Sequence, residues 1–146
     1  AARRLQRRLR DEPGLLPAAI DEILRMHAPL VANRRVTTRA VEIGGRRIAA
    51  GERVTLLWAS ANRDERRWEN PETFDIRRVL TDHVGFGHGL HSCAGMQLAR
   101  LEIRSILSAM TRKVARIEAG EPVLAMNNVL RGFERLPMRF VPAGEG

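Results

Sequence analysis

Residues Phe86-Gly87-His88-Gly89-Leu90-His91-Ser92-Cys93-Ala94-Gly95 decide how this chain is read. Gly87 and Gly89 permit a tight turn and a close approach of backbone to a flat ligand, at positions where a β-carbon would be costly. Cys93 stands just before a predicted helix N-terminus, where partial positive charge and free amides favour thiolate over thiol. The N–H groups that follow it can hydrogen-bond the sulfur and tune its electron donation. His91, two residues earlier, can reach an anionic group at the rim of such a ligand. Two plainer readings stand beside this one. A lone cysteine is usually a small buried hydrophobe. His83, His88, His91 and Cys93 could also gather round a metal, although their spacing matches no common zinc pattern.

Cys93 is the only cysteine among 146 residues, so an internal disulfide and any zinc site needing two thiolates are excluded. Working outward from it, the chain after Gly95 predicts a helix to about Arg112, with Ala99, Ile103, Ile106, Leu107 and Met110 on one face. Before it, residues 61–84 lose all periodicity. Asn62, Asp64, Asn70-Pro71 and Asp75 mark irregular chain, while Trp68, Phe74 and Ile76 supply apolar anchors, so an ordered meander is expected.

Further upstream, Leu16, Ile20, Ile23 and Leu24 predict an amphipathic helix over Leu16–His27, with Pro17 in its first turn and Pro29 blocking its continuation. Val41 and Ile43, then Gly44-Gly45, then Ile48 predict a hairpin within 36–48, and 54–57 a further strand. Residues 123–141 are expected to form short strands.

Hydrophobic residues make up 44% and charged residues 29% of the chain, enough to bury a core. The net charge of +8 raises nucleic-acid binding as a possibility. The arginines, however, are scattered from Arg3 to Arg139, and two Trp, four Phe and no Tyr offer little for base stacking. No nucleic-acid partner is expected. No stretch approaches the roughly 20 apolar residues of a membrane span, so neither is a membrane, and a cytoplasmic location is the default.

The cysteine segment resembles the haem-ligand signature F-x-x-G-x-x-x-C-x-G of the cytochrome P450 family, matched by Phe86, Gly89, Cys93 and Gly95. The similarity runs from about Leu15 to Val141. It implies a mainly α fold with small β-sheets (α+β), the whole of residues 1–146 being the C-terminal haem-binding portion of one P450 domain.

By that resemblance Cys93 is the catalytic thiolate and axial ligand to the iron of haem b (iron protoporphyrin IX). Phe86, Gly87 and Gly95 shape the haem's proximal side, and His91 and Arg35 hold its propionates. Leu30, Val31, Ala32 and Asn33, with Val129 and Leu130 from a returning turn, border the substrate pocket. Glu22 and Arg25 match the family's E-x-x-R pair, which locks the meander to the core. The third partner of that pair is usually an Arg or His just before a meander Phe, where this chain has Thr73 before Phe74. Another meander arginine, or none, is left to complete it.

The implied activity is a monooxygenase inserting one oxygen atom of O2 into a small organic substrate, with electrons from an acidic ferredoxin and its reductase. His91 and Ala61-Asn62-Arg63-Asp64 resemble the soluble bacterial-type members, and a monomer is implied. Asn127-Asn128-Val129-Leu130-Arg131-Gly132 resembles members that oxidise aromatic acids. The family's oxygen-activating acid and alcohol pair lies on a helix upstream of the E-x-x-R helix. A chain opening at Ala1 is therefore expected to be a fragment, inactive when isolated. A non-catalytic haem-binding or haem-sensing module is the alternative.

Overall fold

The structure, a computed structural model, describes residues 2–78 and 82–144. Among the described residues the fold has four helices and four two-stranded antiparallel sheets. Helix α1 (Ala2–Asp11) is followed by a 3-10 turn (Pro13–Leu15) and helix α2 (Leu16–His27). Pro17 in the first turn of α2 costs nothing, because the N–H it lacks would have no helical acceptor. The helix ends at Ala28, whose ψ of 126° is the extended conformation imposed by Pro29.

Strand β1 (Ala32–Val36) pairs with β4 (Arg53–Leu57), setting Asn33 opposite Leu56 and Arg35 opposite Val54. Between them β2 (Val41–Ile43) and β3 (Arg46–Ile48) form the expected hairpin. Its turn residues Gly44 and Gly45 have φ of 58° and 76°, the left-handed conformation a two-residue turn of this type requires. A short helix α3 (Trp58–Ala61) leads into the meander, and helix α4 (Met96–Lys113) follows the cysteine segment. Strand β5 (Val114–Ala119) pairs with β8 (Met138–Pro142), and β6 (Val123–Leu124) with β7 (Phe133–Arg135).

The core is a cluster of Leu9, Leu16, Ala19 and Ile76, with Leu5, Leu15, Phe74 and Leu107 packed against it. It binds α1, α2, the meander and α4 into one unit. In the described part of the meander the expected anchors Trp68 and Ile76 are buried. Residues 79–81 of that stretch lie outside the described residues.

The structure corrects two expectations. Ile106 is 60% exposed, and only Ala99, Ile103, Leu107 and Met110 of the predicted α4 face are partly covered. Ile23, placed on the apolar stripe of α2, is also exposed. Conversely Glu22 and Arg25, which lie off that stripe, are fully buried, because the meander covers the second face of the helix.

Candidate functional site: a cleft around Cys93

The cysteine segment is a closed loop standing on the N-terminus of α4. The Cys93 N–H donates to the Phe86 carbonyl at 2.8 Å, Ser92 N–H to Gly89 O at 3.0 Å and Gly87 N–H to Val84 O at 3.0 Å. These bonds fold the chain back so that both ends of the segment meet. Gly87, at φ 75°, lies so close to the returning strand that a β-carbon there would sit 3.3 Å from the His91 carbonyl. Gly89, at φ 69°, faces open space and is needed only for its conformation. A β-carbon on Gly95 would stand 3.9 Å from Cys93 Sγ. The cysteine is exposed, one turn before the α4 amides, which removes the reading of it as a buried hydrophobe.

Cys93 opens into a cleft of about 390 Å³ lined by Phe86, Gly87 and His91 of the same loop, by Leu30, Asn33 and Arg35 of the first sheet, and by Leu130. Eight sequence-predicted residues thus converge on one cavity. β1 alternates, so Asn33 and Arg35 turn inward while Arg34 between them is exposed. The turn containing Leu130 does reach back: Val31 N–H donates to Val129 O at 2.8 Å, Arg131 N–H donates to Pro29 O at 2.6 Å, and Leu30 bridges Leu130. Val31, Ala32 and Val129 are not part of the lining; Val31 and Val129 instead contribute the backbone that ties the two walls together.

Trp58, which the sequence did not mark out, is part of the same wall and donates its indole N–H to Asn33 Oδ1 at 2.7 Å. Indole is a donor only, so this bond fixes which end of the Asn33 amide points elsewhere. An aromatic residue at the end of a strand whose partner carries the site residues was the available signal.

Behind the cleft, Glu22 and Arg25 form a two-pronged ion pair, Nε to Oε2 at 2.7 Å and Nη2 to Oε1 at 2.9 Å. Arg25 Nη1 also donates to the Asn62 carbonyl at 2.8 Å, and the Asn62 side chain accepts the Val84 N–H at 2.8 Å. On the other side, Glu22 Oε1 accepts the Asp75 N–H at 2.9 Å and Arg78 Nε at 3.3 Å. Thr73 supplies only its carbonyl, to Arg78. Burial alone would raise the Glu22 carboxyl. The hydrogen bonds from Arg25 and Asp75 and the charges of Arg25 and Arg78 outweigh it and hold the group below its ordinary value.

The zinc reading fails on geometry. His83 is buried, His88 is exposed, and among the described residues no three His, Cys, Asp or Glu side chains are placed to share a metal.

One exposed thiol at a helix N-terminus, a glycine that keeps the floor flat, apolar walls from Leu30, Phe86 and Leu130, and cationic or donor groups from Arg35 and His91 form a donor set that fits a tetrapyrrole with an axial thiolate and two carboxylates. The arrangement is that of a haem-thiolate protein. The sequence profile of the family described as Cytochrome P450 matches residues 2–118. The chain belongs to that family, whose members bind haem.

It is 47% identical to "Cytochrome p450 CYP199A2" of Rhodopseudomonas palustris, over 93% of this chain and 33% of that protein. It is 48% identical to "Cyclomarin C epoxidase CymV" of Salinispora arenicola, over 78% of this chain and 29% of that one. Among solved structures, substrate-free CYP150A6 of Mycobacterium marinum superposes with a TM-score of 0.91 at 36% identity, over 96% of this chain and 37% of the other. The chain therefore spans about a third of the length of the relatives it matches. No helix among the described residues is long and apolar enough to cross a membrane.

Proposed function

We propose that residues 1–146 are the C-terminal haem-binding portion of a soluble, cytoplasmic, monomeric monooxygenase. The whole protein inserts one oxygen atom of O2 into a small organic substrate. The observation that carries this reading is the convergence of Cys93, Phe86, His91 and Arg35 on one cleft that also contains Leu30, Asn33 and Leu130.

When bound as haem b, the cofactor supplies the dioxygen chemistry, for which a thiolate ligand is suited because it pushes electron density toward the iron. The chain's own residues bind and orient. Cys93 Sγ would be the thiolate donor to the iron, its loop closed by the Cys93 N–H bond to the Phe86 carbonyl just before α4 begins. Arg35 and His91 would hold the propionates, Arg35 as a charged donor that cannot be deprotonated and His91 as a hydrogen-bond donor. Leu30 and Leu130 make one wall apolar, and the Trp58–Asn33 pair sets a polar edge within it. Electrons come from an acidic ferredoxin, for which a chain of net charge +8 is a complementary partner.

The test is turnover of the full-length protein that contains this chain, supplied with ferredoxin, ferredoxin reductase, NADH and isotopically labelled dioxygen, against a panel of small aromatic acids, terpenes and steroids. One labelled oxygen per product molecule is expected. NADH consumption with no labelled product from any of them, alongside intact haem binding, would favour the haem-sensing alternative.

A further inference from the structure

The Glu22–Arg25–Arg78 network approaches the cysteine loop through the meander. A second polar network reaches it from α2 and α4 and is built from groups that the reaction does not use. His83 is almost completely buried at the entry to the loop. Its Nδ1 accepts the Gly85 N–H at 3.2 Å, and its Nε2 lies 3.3 Å from Arg100 Nη2. The same ring nitrogen, Nε2, faces Asp21 Oδ1 of α2 at 3.5 Å. Asp21 Oδ1 also accepts Arg100 Nε of α4 at 2.9 Å.

Two aromatic contacts extend the network to the cleft. The Arg100 guanidinium lies over the Phe86 ring at 5.0 Å, and the His83 ring meets the same phenyl at 6.2 Å with a 45° tilt. Gly85, between His83 and Phe86, is pressed against α2 so closely that a β-carbon would stand 3.0 Å from the Leu24 carbonyl. Phe86 is thus bracketed by Gly85, packed on α2, and by Arg100 of α4. Its carbonyl is the acceptor for the Cys93 N–H.

We infer that Asp21, His83 and Arg100 are positioning residues for the Cys93 sulfur, acting through Phe86, and that their role goes beyond stabilising the fold. The inference rests on Cys93 being the haem ligand. The three side chains come from α2, the loop entry and α4, the elements whose relative placement fixes where the loop begins and where it ends. Asp21 and Arg100 are only about a quarter exposed, so their pairing is sheltered from solvent screening. Arg100 acts through its contact with the Phe86 ring, its own charge being paired with Asp21.

The test compares haem-loaded holoprotein carrying His83→Asn, His83→Leu, Arg100→Lys or Arg100→Gln. The readouts are the carbon monoxide spectrum of the reduced form and the ferric/ferrous midpoint potential. Asn can keep an acceptor near Nδ1 for the Gly85 N–H, and Leu cannot. His83→Leu and Arg100→Gln are expected to convert the thiolate-type band to the displaced form several-fold faster than the unsubstituted protein and to shift the potential upward. His83→Asn is expected to restore the native rate. If every variant that folds keeps the native band, conversion rate and potential, the inference is overturned. Should His83→Leu fail to fold, the Arg100 pair decides the matter. If the unsubstituted holoprotein itself gives no thiolate-type band, it is the haem-thiolate reading that has failed.

Discussion

Arg78 Nε stands 3.3 Å from Oε1 of Glu22, closing from the meander an ion pair that Glu22 and Arg25 make within one helix. The position at which the family resemblance called for a cation, Thr73, contributes a carbonyl to Arg78 instead. The function of the missing side chain has moved five residues along the chain.

Removing the carboxylate from this cluster leaves buried guanidinium charge uncompensated. Glu22→Gln is expected to cost about 3–5 kcal/mol, the range for breaking one side of a buried pair. Arg78→Ala is expected to cost less, since Arg25 and the Asp75 amide still serve Glu22 and Arg78 is itself 14% exposed. Urea denaturation of both variants checks the order; an Arg78→Ala loss equal to that of Glu22→Gln would contradict it.

Acid should destabilise the chain in two steps. His83 is held below its ordinary value of 6.5 by burial, with Arg100 and Arg25 adding to the effect and Asp21 opposing it. The unfolded chain therefore takes up a proton at this site before the folded one does. Its contribution is complete above about 6.5 and is lost as pH falls from there to the lower folded value. Glu22 repeats the pattern from its ordinary 4.5 downward. Stability measured by denaturant at successive pH values should show the upper step shrink in His83→Asn, His27 keeping its own share, and the lower one shrink in Glu22→Gln, Asp64 and Asp75 keeping theirs. An upper step unchanged in His83→Asn would reassign it.

The two left-handed glycines of the loop should respond differently to a methyl group. Both Gly87→Ala and Gly89→Ala impose the left-handed cost of roughly 1–2 kcal/mol. Gly87→Ala must in addition displace the His91 backbone, 3.3 Å from the new carbon, whereas Gly89 has nothing within 4 Å. Thermal melting should rank Gly87→Ala as clearly the less stable. Equal losses would mean that the close approach is relieved without strain.

Much of this was legible in the sequence because it is local. α2 follows from four apolar residues and two prolines, the hairpin from Gly44-Gly45, and the loop from glycines and a cysteine in fixed order. What was not legible depends on distant partners. Helix α1, with only Leu5 and Leu9 between arginines, is secured by Arg10 donating to the carbonyls of Thr111 and Val114, and by Gln6 pairing with Ile117. Strand β5 gains its register from β8. Arg78 and Trp58 find their partners through irregular chain, where no period reports which side chain turns inward.

Trp58→Phe keeps an aromatic ring in the cleft wall but removes the donor that orients Asn33. The amide is then free to turn. Arg35→Ala removes the only inward-facing arginine of β1. Haem transfer from the holoprotein to an excess of apomyoglobin should accelerate strongly for Arg35→Ala and only slightly for Trp58→Phe. Equal rates in Arg35→Ala and the unsubstituted protein would remove Arg35 from the cofactor site.

The bond between Cys93 and iron is examined most directly by the visible spectrum of the reduced holoprotein under carbon monoxide, recorded for the native chain and for Cys93→His. The native chain should give the strongly red-shifted band of a thiolate ligand, and the variant the band typical of histidine ligation. A native spectrum already of the histidine type, or one that Cys93→His leaves unmoved, would contradict the assignment of the sulfur and the haem-thiolate chemistry built on it.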